Sequence, residues 1–367
     1  MPRGRGERLD IAILGLSITS SWGNGHATTY RALLKALAAR GHRIRFFERD
    51  VAWYARNRDL PRPPFADLCL YGSLDELNDE GADPISRADL VIVGSYVPDG
   101  IVVGSWVRRI ARGLVAFYDI DTPVTLAALA DGGAPYLLPA QIPDYDLYLS
   151  FTGGPVLERL EREFGARAAR PLFCAFDPEI YRPDPRPPRW DLGYMGTYSA
   201  DRQPALDELL LATARRMPDR PFAVAGPLYP QGLAWPDNVQ RFEHVPPADH
   251  RGFYCSQRFT LNLTRADMIR AGHSPSVRLF EAAACGVPII SDDWPGLAAL
   301  FEPGREILIA RRAEEVAGYL TSLSPAEAAR IGMRARQRVL AEHTAEDRAV
   351  QLESYVAELR ENIRQRA

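Results

Sequence analysis

The sequence predicts an α/β protein of two successive units, each a parallel sheet covered by helices. Three observations carry the prediction. The 367 residues exceed what one ordinary core organises. Short apolar runs rich in β-formers alternate with amphipathic helical stretches from one end to the other. The alternation breaks once, across residues 177–190, and then restarts.

In the first half the expected strands are Ile11–Ile18, Arg43–Glu48, Asp67–Tyr71, Asp89–Gly94, Leu114–Tyr118 and Asp146–Phe151. Several are apolar on both faces, as central parallel strands are. Thr28–Ala39 reads as a helix, with leucines at 33, 34 and 37 and Arg40–Gly41 as its stop. The break DPEIYRPDPRPPRW carries five prolines and sustains neither a helix nor a central strand. Beyond it the expected elements are the strand Leu192–Gly196, the helix Pro204–Arg216, the strands Pro221–Ala225, Val239–Phe242 and Phe259–Thr264, the helix Pro275–Ala284, and the strands Val287–Ser291 and Glu306–Ile309. After Ser324 the chain reads as helix with a restart at His343–Thr344. The expected organisation is thus two Rossmann-like, doubly wound domains, 1–176 and 190–340, facing a cleft. The helix of 341–367 is left with two places: over the second sheet, or crossing back to brace the first domain.

Composition narrows the function. Hydrophobic residues at 46% and charged residues at 25% are ordinary for a globular chain and argue against disorder. A net charge of −3 leaves no general attraction for nucleic acid or anionic lipid. Lys35 is the only lysine among 44 basic residues, so any phosphate clamp outside its helix has to be arginine. Cys69, Cys174, Cys255 and Cys285 form no CxxC pair, which argues against a zinc knuckle or a disulfide framework and for a reducing compartment. The first apolar stretch, IAILGLSI, lacks a small-residue cleavage site, and no run reaches the roughly 20 apolar residues of a membrane span. A cytoplasmic protein without a membrane span is expected.

Four constellations carry chemistry. In HSPSVRLFEAAACGVPIISDDWPGL, Ser274 suits a helix cap, Pro275 the first helical position, and Cys285–Gly286 the stop. A helix opening Ser-Pro-Ser offers backbone N–H groups, the hydroxyls of Ser274 and Ser276 and a positive dipole end to a diphosphate. Glu281, two turns on, lies on the same face and suits ribose hydroxyls; the plain alternative is a solvated glutamate on an amphipathic helix. In SSWGNGHATTY, after the first strand and leading into a helix, Gly23 and Gly25 permit close backbone approach and His26, near the helix start, is placed to reach into the cleft; the plain alternative is a tight turn with an incidental histidine. In Tyr118-Asp119-Ile120-Asp121-Thr122-Pro123, Asp119 and Asp121 stand at a strand end, where ligand-facing residues of α/β sheets gather. They also spell the metal-binding triplet DxD, a short match that arises easily by chance. Gly196-Thr197-Tyr198-Ser199-Ala200-Asp201-Arg202 forms the first turn of the second domain. His244 and His250, beside prolines, read as loop residues.

The segment Glu281-Ala-Ala-Ala-Cys-Gly-Val-Pro288 resembles the donor-site motif of retaining family-4 glycosyltransferases, whose first glutamate falls here at His273. The resemblance is closer to the CgeB-like (spore maturation protein) group. It extends over SITSSWGNGHATTYRALLKALAARGH, FYDIDTP, DLGYMGTYSADRQPAL and TLNLTRADM through the Glu281 helix. It implies a GT-B fold and a metal-independent transfer from a nucleoside-diphosphate sugar, of UDP or TDP type, to a hydroxyl acceptor, with no further cofactor and no nucleic-acid partner. It further implies that Gly23, Gly25 and His26 face the sugars, with His26, Asp119 or Asp121 as catalytic groups. Gly196, Tyr198, Arg202, Arg265, His273, Ser274, Pro275, Ser276 and Glu281 would surround the nucleotide sugar. Three other readings stay open: an NAD-dependent oxidoreductase using Gly23-x-Gly25-x-x-Thr28 with Glu48 on ribose, a nucleotide-sugar 2-epimerase, and a non-catalytic nucleotide-sugar-binding protein.

Overall fold

A computed structural model of the protein describes residues 7–366, and they divide into two compact units. The first comprises residues 7–175 together with 345–366, and the second is Phe176–Thr344. Residues 1–6 of the expected first domain, part of the N-terminal stretch weighed above as a leader, and Ala367 of the expected last helix lie outside the described residues.

In the first unit seven strands form one sheet: β1 (Asp10–Gly15), β2 (Arg43–Arg49), β3 (Asp67–Tyr71), β4 (Leu90–Gly94), β5 (Leu114–Asp119), β6 (Leu147–Ser150) and β7 (Ala169–Pro171). Their order is β3-β2-β1-β4-β5-β6-β7, and every pairing is parallel. All residues of β4 and β5 are buried, which is why these strands read as unbroken apolar runs. The seventh strand was not expected. It is three residues long, and its Pro171 suits the sheet edge it occupies. The His26–Ala39 helix begins two residues before the expected start, because the Asn24 side chain accepts the His26 N–H at 3.2 Å and so serves the first turn.

In the second unit six strands form a sheet: β8 (Trp190–Met195), β9 (Phe222–Ala225), β10 (Val239–Phe242), β11 (Gln257–Asn262), β12 (Ile289–Ser291) and β13 (Leu308–Ile309). Their order is β10-β9-β8-β11-β12-β13, again all parallel. The proline-rich stretch belongs to this unit: Arg189 N donates to Ser256 O at 2.7 Å, and Tyr181 is buried. Helix over residues 203–216 contains a π-helical stretch, Asp207–Ala212. Ser324 caps the helix Pro325–Glu342 in a capping box with Glu327. The chain breaks at His343 and Thr344, and the last helix, Ala345–Arg366, packs on the first unit against the His26–Ala39 helix.

In each sheet the strand order runs outward from the first strand to one side and then restarts on its other side. This creates a switch point between β1 and β4 in the first unit and between β8 and β11 in the second. At such a point the connections on either side diverge and leave a crevice beyond the carboxyl ends of the strands. No helix among the described residues is long and apolar enough to cross a membrane.

Candidate functional site

At the switch point of the first unit, the loop after β1 is held from beneath by Glu48, which is fully buried at the end of β2. Its carboxylate accepts from Ser17 Oγ and Ile18 N at 2.8 Å each, from Thr19 N at 3.1 Å and from Thr19 Oγ1 at 2.5 Å. Both oxygens are consumed, so the ribose ligand required by the oxidoreductase reading is absent here. Gly23 adopts φ 63°, a left-handed conformation that favours glycine. Gly25 does not need that freedom, but an added Cβ there would meet nothing within 4 Å, so this stretch of backbone stays open to a ligand.

His26 Nε2 lies 3.8 Å from Asp121 Oδ2, with side-chain exposures of 24% and 12%. The same oxygen accepts the Tyr96 hydroxyl at 3.0 Å, and the Tyr96 ring stacks on His26 with centroids 5.9 Å apart. Phe151 meets the imidazole edge-on, with ring centroids 6.3 Å apart. Tyr96 follows β4 at the switch point and holds φ 64°, a strained conformation for a non-glycine residue that is characteristic of functional sites. Sequence reasoning missed it; the available signal was its place just past the fourth strand.

Asp119, expected as a catalytic group, is enclosed. Tyr148 donates to Oδ2 at 2.5 Å, while Thr125 Oγ1 at 2.8 Å and the Asp121 N–H at 3.2 Å donate to Oδ1. Burial pushes its pKa up to about 6 against these hydrogen bonds. Its oxygens therefore face the protein rather than a ligand, and Asp119 orients the turn that presents Asp121.

In the second unit two glycines set the floor of the switch point. Gly226, at φ 143°, sits so close to Gly196 that a Cβ there would come within 2.0 Å of the Gly196 oxygen. Gly196 is in turn covered by Tyr194 and Arg278. The Tyr198 ring meets Tyr229 edge-on, with centroids 5.5 Å apart. Arg278, buried in the first turn of the helix Val277–Ala284, donates to Met195 O at the end of β8. It also donates to Asn262 Oδ1 at 3.0 Å at the end of β11, and its guanidinium lies 4.8 Å from the Tyr194 ring centroid. It thereby bridges the two strands that define the crevice. This arginine was not singled out in the sequence, although it stands three residues before Glu281 in the motif.

Arg202 and Arg265 come together around Asp201. Arg265 Nε is 3.5 Å from Asp201 Oδ2, which also accepts the Ala266 N–H at 3.0 Å, and Arg202 donates to Thr197 O at 2.7 Å. Despite a burial cost, hydrogen bonds from Ser199 and Ala266 and the charges of Arg265 and Arg202 hold the Asp201 carboxyl below its ordinary range. The Arg202 and Arg265 cations thus gather around the Asp201 anion.

The helix start differs from the expectation. Ser276, not Ser274, is the residue before the first helical turn, and its hydroxyl donates to Asn262 Oδ1 at 2.8 Å instead of capping the helix. Gly272 and His273 are both left-handed (φ 67° and 50°), and His273 N donates to Pro295 O at 2.6 Å. These bends hold Ser274 and Pro275, both buried, outside the helix. The His273 ring packs against Gly296, where a Cβ would come within 2.5 Å of Nδ1.

Glu281 lies on the inner side of the helix and is 2% exposed. Tyr254 donates to its Oε2 at 3.1 Å and the buried Tyr181 hydroxyl also bonds to the carboxylate, whereas Oε1 is shielded from solvent and has no donor in good hydrogen-bond geometry. His250, on the helix Pro247–Cys255 rather than in the expected loop, has Nδ1 3.9 Å from Oε2. A buried carboxylate oxygen without a donor is rare in folded proteins, where such groups are otherwise paired. Downstream, Asp292 accepts Thr264 N at 2.7 Å and Thr264 Oγ1 at 2.9 Å and so fixes the turn leading to Arg265. Among the described residues no group of three or more His, Cys, Asp or Glu is arranged to hold a metal ion.

Residues 202–354 match the family model described as glycosyl transferase-like. Among solved structures, the chain is similar to sucrose-phosphate synthase from Thermosynechococcus elongatus at 17% identity, covering 96% of this chain and 99% of that one with a TM-score of 0.70. It is also similar to HepE of Anabaena in complex with UDP and glucose (12% identity, 96% and 100% coverage, TM-score 0.68). An alpha-glucosyltransferase in complex with UDP-glucose and DNA containing an abasic site superposes comparably (12%, 96% and 100%, TM-score 0.70). No curated protein matches this sequence. The chain has the fold of these glycosyltransferase structures, GT-B, with two Rossmann-like parallel-sheet units of seven and six strands.

Proposed function

We propose that the protein moves a sugar from a nucleoside-diphosphate sugar, of UDP or TDP type, to a hydroxyl acceptor without a metal ion or other cofactor. The observation that carries this reading is the Glu281 carboxylate, whose Oε1 is desolvated and lacks a donor. A ribose hydroxyl supplies the missing hydrogen bond. Arg202, Arg265 and Arg278 neutralise the charge that grows on the diphosphate as the bond between it and the sugar breaks. Ser274, Pro275 and Ser276 shape the approach to the same helix, whose dipole adds positive potential.

In the first unit His26 takes the proton of the acceptor hydroxyl as that oxygen bonds to the anomeric carbon, and Asp121 stabilises the imidazolium. Gly23 and Gly25 leave room for the sugars beside the backbone. The UDP-type donor is supported by HepE in complex with UDP and glucose and by the alpha-glucosyltransferase in complex with UDP-glucose. Placement in the CgeB-like group rests on the four matching sequence stretches, and a cytoplasmic location on four cysteines without a CxxC pair, none of them joined in a disulfide.

Calorimetric titration with UDP-, TDP- and GDP-sugars, with and without EDTA, tests donor and metal together. Selective UDP- or TDP-sugar binding that survives EDTA is expected. Glu281→Gln is expected to weaken it by about tenfold or more, the scale of one hydrogen bond to a charged group. Unchanged donor binding and turnover in Glu281→Ala would remove the assignment. A second reading, a nucleotide-sugar-binding protein without turnover, is favoured by His273, whose ring packs on Gly296 where the family motif has a glutamate. Tight binding with neither hydrolysis nor transfer selects it, and isomerisation of the donor alone selects the 2-epimerase.

A further inference from the structure

The loop after β1 carries a second feature besides His26. Four residues earlier, Trp22 meets Trp53 at right angles: the ring centroids are 4.6 Å apart and the planes cross at 75°. Trp53 sits on the short helix Ala52–Ala55 after β2, none of whose residues is buried, and is itself 50% exposed. Two indoles meeting as a floor and a wall form a corner of partly exposed aromatic surface on the loops that flank the first switch point.

The corner is rigid. Asn57 Nδ2 donates to Trp53 O at 2.9 Å, Ser20 Oγ donates to Asn57 O at 2.8 Å, and Ser21 N donates to Asp59 Oδ1 at 2.9 Å. These bonds tie the loops after β1 and β2 into one support, so neither indole stands on a free segment. Three arginines around the corner are paired: Arg31 with Asp59 at 2.8 Å, Arg58 with Asp50 at 2.6 Å and Arg49 with Asp99 at 3.4 Å. The surroundings are therefore polar.

We propose that Trp22 and Trp53 form an acceptor subsite for a neutral pyranose, an inference that rests on the glycosyltransferase reading and names its acceptor class. A pyranose has an apolar face of ring C–H groups and a rim of hydroxyls. The indole faces match the first, and the rim of amide, carboxylate and guanidinium groups matches the second. A nucleobase also stacks on indole, but a nucleic acid brings phosphates that demand unpaired basic groups, and the arginines named here are spent on carboxylates. Trp22 stands on the same loop after β1 that leads into His26, so the subsite and the group that takes the acceptor proton are carried by one segment.

Saturation-transfer NMR on the intact protein, without donor, tests this with methyl pyranosides and linear gluco-, galacto- and manno-trisaccharides as probes. Ring C–H protons of at least one probe are expected to be saturated in the wild type. Trp53→Ala and Trp22→Ala are expected to weaken that binding by about tenfold, and Trp53→Phe to restore part of it, with thermal midpoints unchanged. Saturation of no probe overturns the proposal, as does equal binding by Trp53→Ala, or tryptophan-dependent binding of an oligothymidylate in place of the sugars. Loss of the glycosyltransferase reading would show differently, as glycan binding without any UDP-sugar binding or turnover.

Discussion

His26 Nε2, 3.8 Å from Asp121 Oδ2, lies within ion-pair range of a carboxylate. The ring is stacked on Tyr96 and met edge-on by Phe151, so the imidazole has little freedom to leave Asp121. His26→Ala is expected to lower kcat by about 10²- to 10⁴-fold with donor affinity retained, as read by single-turnover kinetics; a fall confined to donor binding would assign His26 elsewhere. Asp292 supports a prediction in pH. Burial lifts its pKa from an ordinary 3.8 to about 6, against the bonds from Thr264. The folded state thus holds the proton more tightly than the unfolded chain does. Its stabilising contribution is complete below about pH 4 and is lost as pH rises through about 6. Asp292→Asn keeps the shape and the bond from Thr264 N without the buried charge. Its unfolding free energy from urea titration should gain on the wild type by roughly 1–3 kcal/mol between pH 4 and 7, and a constant gap would disprove the linkage. His26 and Glu281 were legible in sequence because they stand in local motifs. Tyr96 and Arg278 were not, because their importance comes from the strand order, which brings β4 beside β1 and β11 beside β8.

At the scale of elements, alternation of apolar strands and amphipathic helices was enough to read twelve of the thirteen strands; the exception, β7, is a three-residue edge segment with no apolar run to announce it. The start of the Glu281 helix was misplaced for a different reason. Ser274-Pro275-Ser276 offers two serines able to precede a helix, and local preference does not choose between them. The choice is tertiary: Ser276 is tied to Asn262, and His273 N is pinned to Pro295 O. The Gly196–Gly226 contact is tertiary in the same sense, since neither glycine's sequence neighbourhood shows the other. Gly226→Ala would place a methyl group against the Gly196 carbonyl in a backbone conformation that side chains avoid. It is expected to destabilise the second unit by about 2 kcal/mol or more and to weaken UDP-sugar binding. Hydrogen exchange should show the loss first at the ends of β8 and β9; wild-type protection there would mean that the contact relaxes at little cost.

At the scale of the whole molecule, the first unit is built from two distant parts of the chain. The last helix buries Ala349, Leu352 and Val356 and the guanidinium-bearing Arg348, whose charged end lies 5.5 Å from the Phe173 ring centroid. Its Glu353 accepts from Arg40 Nε at 2.5 Å and from Arg40 Nη2 at 2.7 Å. His42 joins them: its Nδ1 accepts the Leu9 N–H at 3.1 Å, so its Nε2 carries the hydrogen and donates to Glu353 at 2.8 Å. Tyr355 adds a bond to Pro171 O at 3.0 Å, which ties the helix to the edge strand β7. Removing the helix uncovers apolar side chains worth roughly 1.5–3 kcal/mol each and strips Arg40 of its bidentate partner. The sum is comparable to the roughly 5–15 kcal/mol that holds a domain folded. A chain ending at residue 344 is therefore expected to lose the first unit while keeping the second. Calorimetry should show the transition of the second unit near its original temperature. Hydrogen exchange should show β1 and the His26–Ala39 helix unprotected while β8 and β11 stay protected. Glu353→Ala should reproduce a fraction of this, about 2 kcal/mol from the lost charged hydrogen bonds, without unfolding. If the shortened chain instead kept full protection in β1, the seven-stranded unit would be complete without its last helix, and the long return of the chain would need another explanation than stability.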